Sequence, residues 1–177
     1  FSVSLLSNGL AITADVAKRI AECWPHRIEM SLYSHIPERH DAITAIEGSH
    51  HATVEATKHL KELGQSVTLK MVIMKDTRDD VAGFKELSDS LGCEGLVDST
   101  ISVGNDGSHD TYKNLRVDSY GLIHSALDPK HPMYCGPKDQ PKNGFKYADM
   151  SARPCGAGHA TLSVSPEGNI YPCLAFP

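Results

Sequence analysis

Residues 27–34 read RIEMSLYS, and the two faces of this short segment decide the fold. Successive side chains of a strand point to opposite sides, so Ile28, Met30 and Leu32 share one face and Glu29, Ser31 and Tyr33 the other. The same division recurs along the chain. In SVTLKMVIM (66–74), Val67, Leu69, Met71 and Ile73 oppose Ser66, Thr68 and Lys70; in GLVDSTISV (95–103), Val97, Ile101 and Val103 oppose Asp98, Thr100 and Ser102. Upstream, FSVSLLSNG (1–9) sets Ser2 and Ser4 against Val3 and Leu5 and ends on the turn dipeptide Asn8-Gly9.

Helical patterns separate these strands. Thr13 is placed to cap a helix carrying Val16, Ile20 and Trp24 on one stripe. Ser49 is placed to cap another with Val54, Leu60 and Leu63, stopped by Gly64; a third carries Val81, Phe84, Leu87 and Leu91 and stops at Gly92. Strands alternating with helices indicate βαβ units and a parallel sheet. A doubly wound sheet is covered by helices on both faces, so its strands are apolar on both. Four strands with one polar face favour instead an α/β barrel with helices outside only and a polar, ligand-bearing interior. A flavodoxin-like sheet with a few polar edge residues is the alternative.

Bulk properties narrow the function classes. A net charge of −5 and 6% aromatic residues over 177 residues argue against nucleic-acid and membrane-surface binding. No apolar run approaches the ~20 residues that span a bilayer, and no secretory signal pattern is present. Five cysteines, an odd number, fit a reducing, cytoplasmic compartment better than a disulfide framework. The chain opens at Phe1, without Met, inside what reads as a strand, and is expected to be a piece of something longer.

From about residue 104 the chain turns rich in Pro, Gly, Asp and Asn, reading as loop, short helix and extended linker. It closes on CGAGHATLSVSPEGNIYPC (155–173). Ser165-Pro166-Glu167-Gly168 is good turn chemistry, so the segment folds as a hairpin that brings Cys155 and Cys173 toward one another. On the residues alone the two are inert thiols, a disulfide, or half of a metal site, since zinc and iron–sulfur sites usually take four protein ligands. His40-Asp41 reads as a helix cap, His50 and His51 as surface, and Cys93 as core.

The spacing Cys-x12-Gly-x4-Cys with SPEGNIYPC inside it resembles the opening of a SPASM domain, the module that follows radical S-adenosylmethionine (radical SAM) barrels and holds auxiliary [4Fe–4S] clusters. Upstream, LLSNG resembles the third strand of such a barrel. The stretch from IEMSLYS through His40-Asp41 to the helix after Gly48-Ser49 is similar to the fourth strand and helix of the Ser-Leu-Tyr type. VTLKMVIMKDT resembles the fifth strand and ISVGNDGSHDTYKNLRV the sixth. The resemblance covers essentially the whole chain and is most specific in the hairpin.

It implies a partial (β/α)6 barrel, strands three to six, over residues 1–125, a linker over 126–152, and the start of a SPASM domain over 153–177. It implies S-adenosylmethionine and [4Fe–4S] clusters as cofactors, with Asn8, Ser31 and Lys70 lining the cofactor cradle and Cys155 and Cys173 as ligands of an auxiliary cluster. Cys135, in the linker, is either a further ligand or a free thiol. The implied activity is generation of a 5′-deoxyadenosyl radical that modifies a peptide or small protein, by thioether formation or cofactor maturation, with an electron donor such as flavodoxin or ferredoxin. The family's Cys-x3-Cys-x2-Cys is absent from the chain and is expected before Phe1, so no catalytic residue is assigned and the chain alone is expected to be inactive. Ser34 stands where many relatives have Gly and Thr77 where many have Asn, and either substitution could alter cofactor contacts. The rival reading is a non-radical α/β barrel protein with a structural metal-binding hairpin.

Overall fold

The computed structural model describes residues 2–101, 110–118 and 157–173. The chain divides into two compact units, the first comprising Phe1–Thr100 and Leu115–Leu122. This unit is a four-stranded parallel sheet in sequential order: β1 (Ser4–Ser7), β2 (Arg27–Ser31), β3 (Val67–Val72) and β4 (Glu94–Asp98). Helix α1 (Ala14–Glu22) connects β1 to β2, α2 (Pro37–Thr44) and α3 (Ser49–Glu62) connect β2 to β3, and α4 (Val81–Ser90) connects β3 to β4.

The two-faced strands produce the layering. Register pairs Leu5 with Ile28 and Ile28 with Val67, and Met30 with Leu69. Ile28, Met30, Leu32, Leu69 and Met71 are all fully buried, together with Ala56 and Leu60 of α3 and Phe84 of α4. Helices therefore cover this face. The opposite face carries the row Leu6, Glu29, Thr68, Glu94 and the row Ser31, Lys70, Leu96. Leu6 and Leu96 stay 66% and 41% exposed there, so the polar face is interrupted by leucines on its two outer strands.

Several local expectations are corrected. Thr13 does cap α1, its Oγ1 accepting from Val16 N–H at 3.4 Å. Trp24, however, leaves the apolar stripe: α1 ends at Glu22 and Trp24 turns left-handed (φ 49°), 86% exposed, directly before Pro25. Helix α2 was not legible as a helix in the sequence, although Pro37 at its first turn is a start signal. Gly48, not Ser49, is the N-cap of α3. The capping oxygens come from Asp41, whose carboxylate accepts from Gly48 N–H (2.6 Å), His50 N–H (2.8 Å) and Ser49 Oγ (2.8 Å). His50 is buried, while its neighbour His51 is exposed.

In the second unit, β5 (Ser163–Val164) and β6 (Ile170–Tyr171) form the expected antiparallel hairpin. Gly168 N–H donates to the Ser165 carbonyl at 2.9 Å and takes φ +88°, the positive angle that glycine adopts without strain. Cys173 follows β6; Cys155 and Cys135 lie outside the described residues, as do residues 102 and 103 of the expected fourth strand and the whole of the expected linker, 126–152. Among the described residues no helix is long and apolar enough to cross a membrane.

Candidate functional site

The face of the sheet that no helix covers among the described residues holds a cavity of about 460 Å³ at the carboxyl ends of the strands, lined among others by Asn8, Glu29, Ser31, Lys70, Val72 and Asp98. Ligands of parallel α/β folds bind at that end, where each strand delivers a side chain and the following loop is free to vary. The three residues expected to line the cradle, Asn8, Ser31 and Lys70, are thus brought to one cavity. Ser31 and Lys70 are direct register partners on β2 and β3.

Charge in the cavity is arranged around Lys70. Its Nζ donates to Glu29 Oε2 at 3.0 Å, and Arg27 approaches the other Glu29 oxygen at 3.8 Å. Asp98 sits at the end of β4, paired with Val72 and two residues beyond the Lys70–Leu96 pair on the same face. Its Oδ1 accepts from Thr100 N–H at 2.8 Å. Backbone hydrogen bonding from Thr100, helped by the Lys70 charge, holds this carboxyl below its ordinary range. One ammonium and two carboxylates leave the lining with net negative charge.

The turn that presents Asn8 is held from behind. Thr53 Oγ1 of α3 donates to the Asn8 carbonyl at 2.9 Å, and the adjacent Gly9 (φ +81°) lies so close that a Cβ there would stand 3.1 Å from Thr53 Cα. Thr53 carried no site signal in the sequence, because its role depends on a contact 45 residues away.

A second polar network supports the loops behind the strand ends. Ser34 Oγ donates to Asp80 Oδ2 at 2.6 Å and accepts from Ile36 N–H at 2.9 Å, while Arg39 pairs with the other Asp80 oxygen. Thr77 Oγ1 accepts from Met74 N–H at 3.0 Å. Ser34 and Thr77 are fully buried, so both serve to tie the loops after β2 and β3. Asp80 was not singled out in the sequence; nothing local distinguishes it from Asp79.

Next to this network, Tyr33 N–H donates to His40 Nδ1 at 3.1 Å and the two rings stack at 5.7 Å, with His50 edge-on to His40. His40 is 2% exposed. Burial first, and His50 second, press its pKa from the ordinary 6.5 to about 4, against the opposing field of Asp41. An imidazole that accepts at Nδ1 must be unprotonated there, so the geometry and the shift agree.

Among the described residues no three His, Cys, Asp or Glu side chains converge as a metal site requires. Cys173 is half-buried beside the hairpin.

No protein-family sequence model matches the chain. It is 23% identical to a "PqqA peptide cyclase" from Streptomyces rochei over 176 residues, 98% of this chain and 48% of the relative. The chain thus spans about half the length of that protein. Among solved structures, "Native anSMEcpe with bound AdoMet and Cp18Cys peptide" superposes with a TM-score of 0.53 at 14% identity, over 68% of this chain and 33% of that one. "Native anSMEcpe with bound AdoMet" gives a TM-score of 0.45 at 16% identity, over 59% of this chain and 30% of that one. The first likeness shows a shared α/β fold built on a parallel sheet.

Proposed function

We propose that this chain is part of a radical S-adenosylmethionine enzyme that modifies a peptide or small protein. The observation that carries the reading is the convergence of Asn8, Ser31 and Lys70 on one cavity at the carboxyl end of a parallel sheet whose other face is covered by helices. The names of the relatives, a peptide cyclase and a protein holding AdoMet with a peptide, point the same way.

The lining suits the cofactor. S-adenosylmethionine carries a sulfonium, an ammonium and a carboxylate, hence one net positive charge, and a ribose with two hydroxyls. Lys70 offers a donor for the carboxylate; Ser31 and Asn8 offer hydrogen bonds to hydroxyl groups; Glu29 and Asp98 supply the compensating negative charge. When bound on a reduced [4Fe–4S] cluster, S-adenosylmethionine supplies the 5′-deoxyadenosyl radical. The residues of this chain hold and orient it, and the bond between Lys70 and Glu29 keeps the ammonium in place before the cofactor arrives.

The sheet edge supports a barrel that continues beyond β1. Val3 and Leu5 of that edge, with Val16, Ile20, Cys23 and Pro25, line an apolar groove of about 670 Å³, and Val3 is 61% exposed. A further strand–helix unit of the same polypeptide would pair with β1 and fill this groove. In the reading the hairpin opens a SPASM domain, with Cys155 and Cys173 as two ligands of an auxiliary cluster and the remaining ligands, like those of the catalytic cluster, elsewhere in the polypeptide. A peptide substrate, a flavodoxin- or ferredoxin-type electron donor and a cytoplasmic setting complete it.

Calorimetric titration of S-adenosylmethionine into the chain tests the cradle. Binding that weakens in Ser31→Ala and Lys70→Ala, with circular dichroism unchanged, is the expected result; affinity equal to the parent would return both residues to a structural role. In the complete polypeptide, Cys173→Ala should lower iron and acid-labile sulfide by one cluster and leave the catalytic cluster in place. Unchanged iron content would remove the hairpin from the cluster sites.

A further inference from the structure

Glu29 and Asp98 face the same cavity but stand in different electrical situations. Glu29 is engaged by Lys70 at 3.0 Å and Arg27 at 3.8 Å. Asp98 takes part in no ion pair among the described residues. Its hydrogen bonds come from the turn that follows β4, from Thr100 N–H on Oδ1 at 2.8 Å and from the Thr100 side chain and Ser99 backbone, and it lines the cavity together with Lys70. Lys70 lowers the Asp98 pKa only through its field, because its ammonium is committed to Glu29. A cavity lined by an internal ion pair and one further carboxylate carries a surplus negative charge at a defined position, on β4, away from Asn8 on the far strand. Around it lie apolar surfaces, Val72 beside it in register and Leu96 two residues before it on the same face. Such surfaces accommodate the methylenes of a positively charged chain while its head group meets the carboxylate.

We propose that Asp98 is the cation-recognising residue of this cavity, pairing with an alkylammonium or sulfonium centre of the bound ligand and selecting for positive charge at the β4 side. The inference rests on the cavity being the ligand site proposed above. Two sources supply that chemistry: the sulfonium of S-adenosylmethionine, or a lysine side chain of the substrate peptide.

Asp98→Asn is the diagnostic variant, since its amide oxygen still accepts from Thr100 N–H while the charge is gone. The chain and this variant are titrated by amide NMR, following Ser31, Lys70 and Thr100, with two pairs of probes. One pair is S-adenosylmethionine and S-adenosylhomocysteine, which lacks the sulfonium charge. The other is a capped glycine peptide with a central lysine and the same peptide with norleucine. The expected result is a loss of about 3- to 10-fold in affinity for the charged member of one pair, the range of partly exposed charge pairs, and less than about twofold for its neutral counterpart. The pair that responds names the source. Equal loss for charged and neutral members, no loss in either pair, or no shift at these amides with any probe would overturn the inference. A lysine peptide that depends on Asp98 while S-adenosylmethionine fails to bind would sustain it and remove the cofactor reading instead.

Discussion

The ammonium of Lys70 lies 3.0 Å from Glu29 Oε2 and joins β3 to β2 across the polar face of the sheet. Both side chains keep some contact with solvent, Lys70 at 36% and Glu29 at 17% exposure. The pair therefore contributes little to folding, ~1 kcal/mol or less, and Lys70→Ala should leave thermal stability nearly unchanged. Its effect belongs to binding: loss of a charge-assisted hydrogen bond should weaken S-adenosylmethionine by about tenfold or more, and Ser31→Ala, losing a neutral one, by ~3- to 10-fold. Calorimetry on both variants checks the order as well as the size.

Asp80 should behave in the opposite way. Its carboxylate is 4% exposed, accepts from Ser34 and pairs with Arg39, which is itself 38% exposed. Asp80→Ala leaves a buried hydroxyl and a guanidinium without their acceptor, and should destabilise the fold by about 2–4 kcal/mol. Urea unfolding measures this. A loss below ~0.5 kcal/mol would show that the loops after β2 and β3 are held by packing alone.

Gly9 tests the clamp on the Asn8 turn. Alanine there meets Thr53 Cα at 3.1 Å and must hold φ +81°, two costs that sum to about 2–5 kcal/mol. Gly64→Ala is the control: it shares a positive φ, +73°, but meets nothing within 4 Å, so it should cost only ~1–2 kcal/mol. Equal losses in the two variants would mean that Thr53 does not confine the turn.

Stability should fall with acid through His40. The folded state keeps this imidazole neutral down to about pH 4, whereas the unfolded chain binds the proton near 6.5. The unfolded state thus holds more protons between these values, so stability is complete above pH 6.5 and declines as pH drops toward 4. His50 is displaced in the same direction, chiefly by burial, and adds to the slope. For His40 the decline is on the order of 3 kcal/mol. In His40→Gln, where the amide oxygen is available to the Tyr33 N–H but does not titrate, the pH dependence of urea unfolding should flatten by about one proton. Parallel pH profiles for variant and parent would contradict the assignment.

These contrasts show what the sequence made legible. The sheet was readable because a period of two is a property of each strand alone: Ile28 and Met30 had to be inside if Glu29 and Ser31 were not. The placement of Ser31 and Lys70 on one cavity followed from the same parity, since they are polar residues on one face near the ends of successive strands. The hairpin was readable from Pro166 and Gly168. What stayed hidden depends on partners distant in sequence. Asp41 caps a helix that starts eight residues later, Thr53 holds Asn8 from 45 residues away, and Ser34 meets Asp80 across 46. His50 could not be told from His51 because only tertiary packing decides which of two adjacent helical residues turns inward.

The most direct test of the account is the formation of 5′-deoxyadenosine from S-adenosylmethionine under anaerobic, reducing conditions. It is measured on the longer polypeptide proposed above, after loading with iron and sulfide, and on the 177-residue chain alone. The account predicts 5′-deoxyadenosine from the longer polypeptide, less from its Lys70→Ala variant, and none from the chain alone. An iron-loaded longer polypeptide that forms no 5′-deoxyadenosine would contradict the central claim, and product from the chain alone would contradict the assignment of the catalytic cluster to residues outside it.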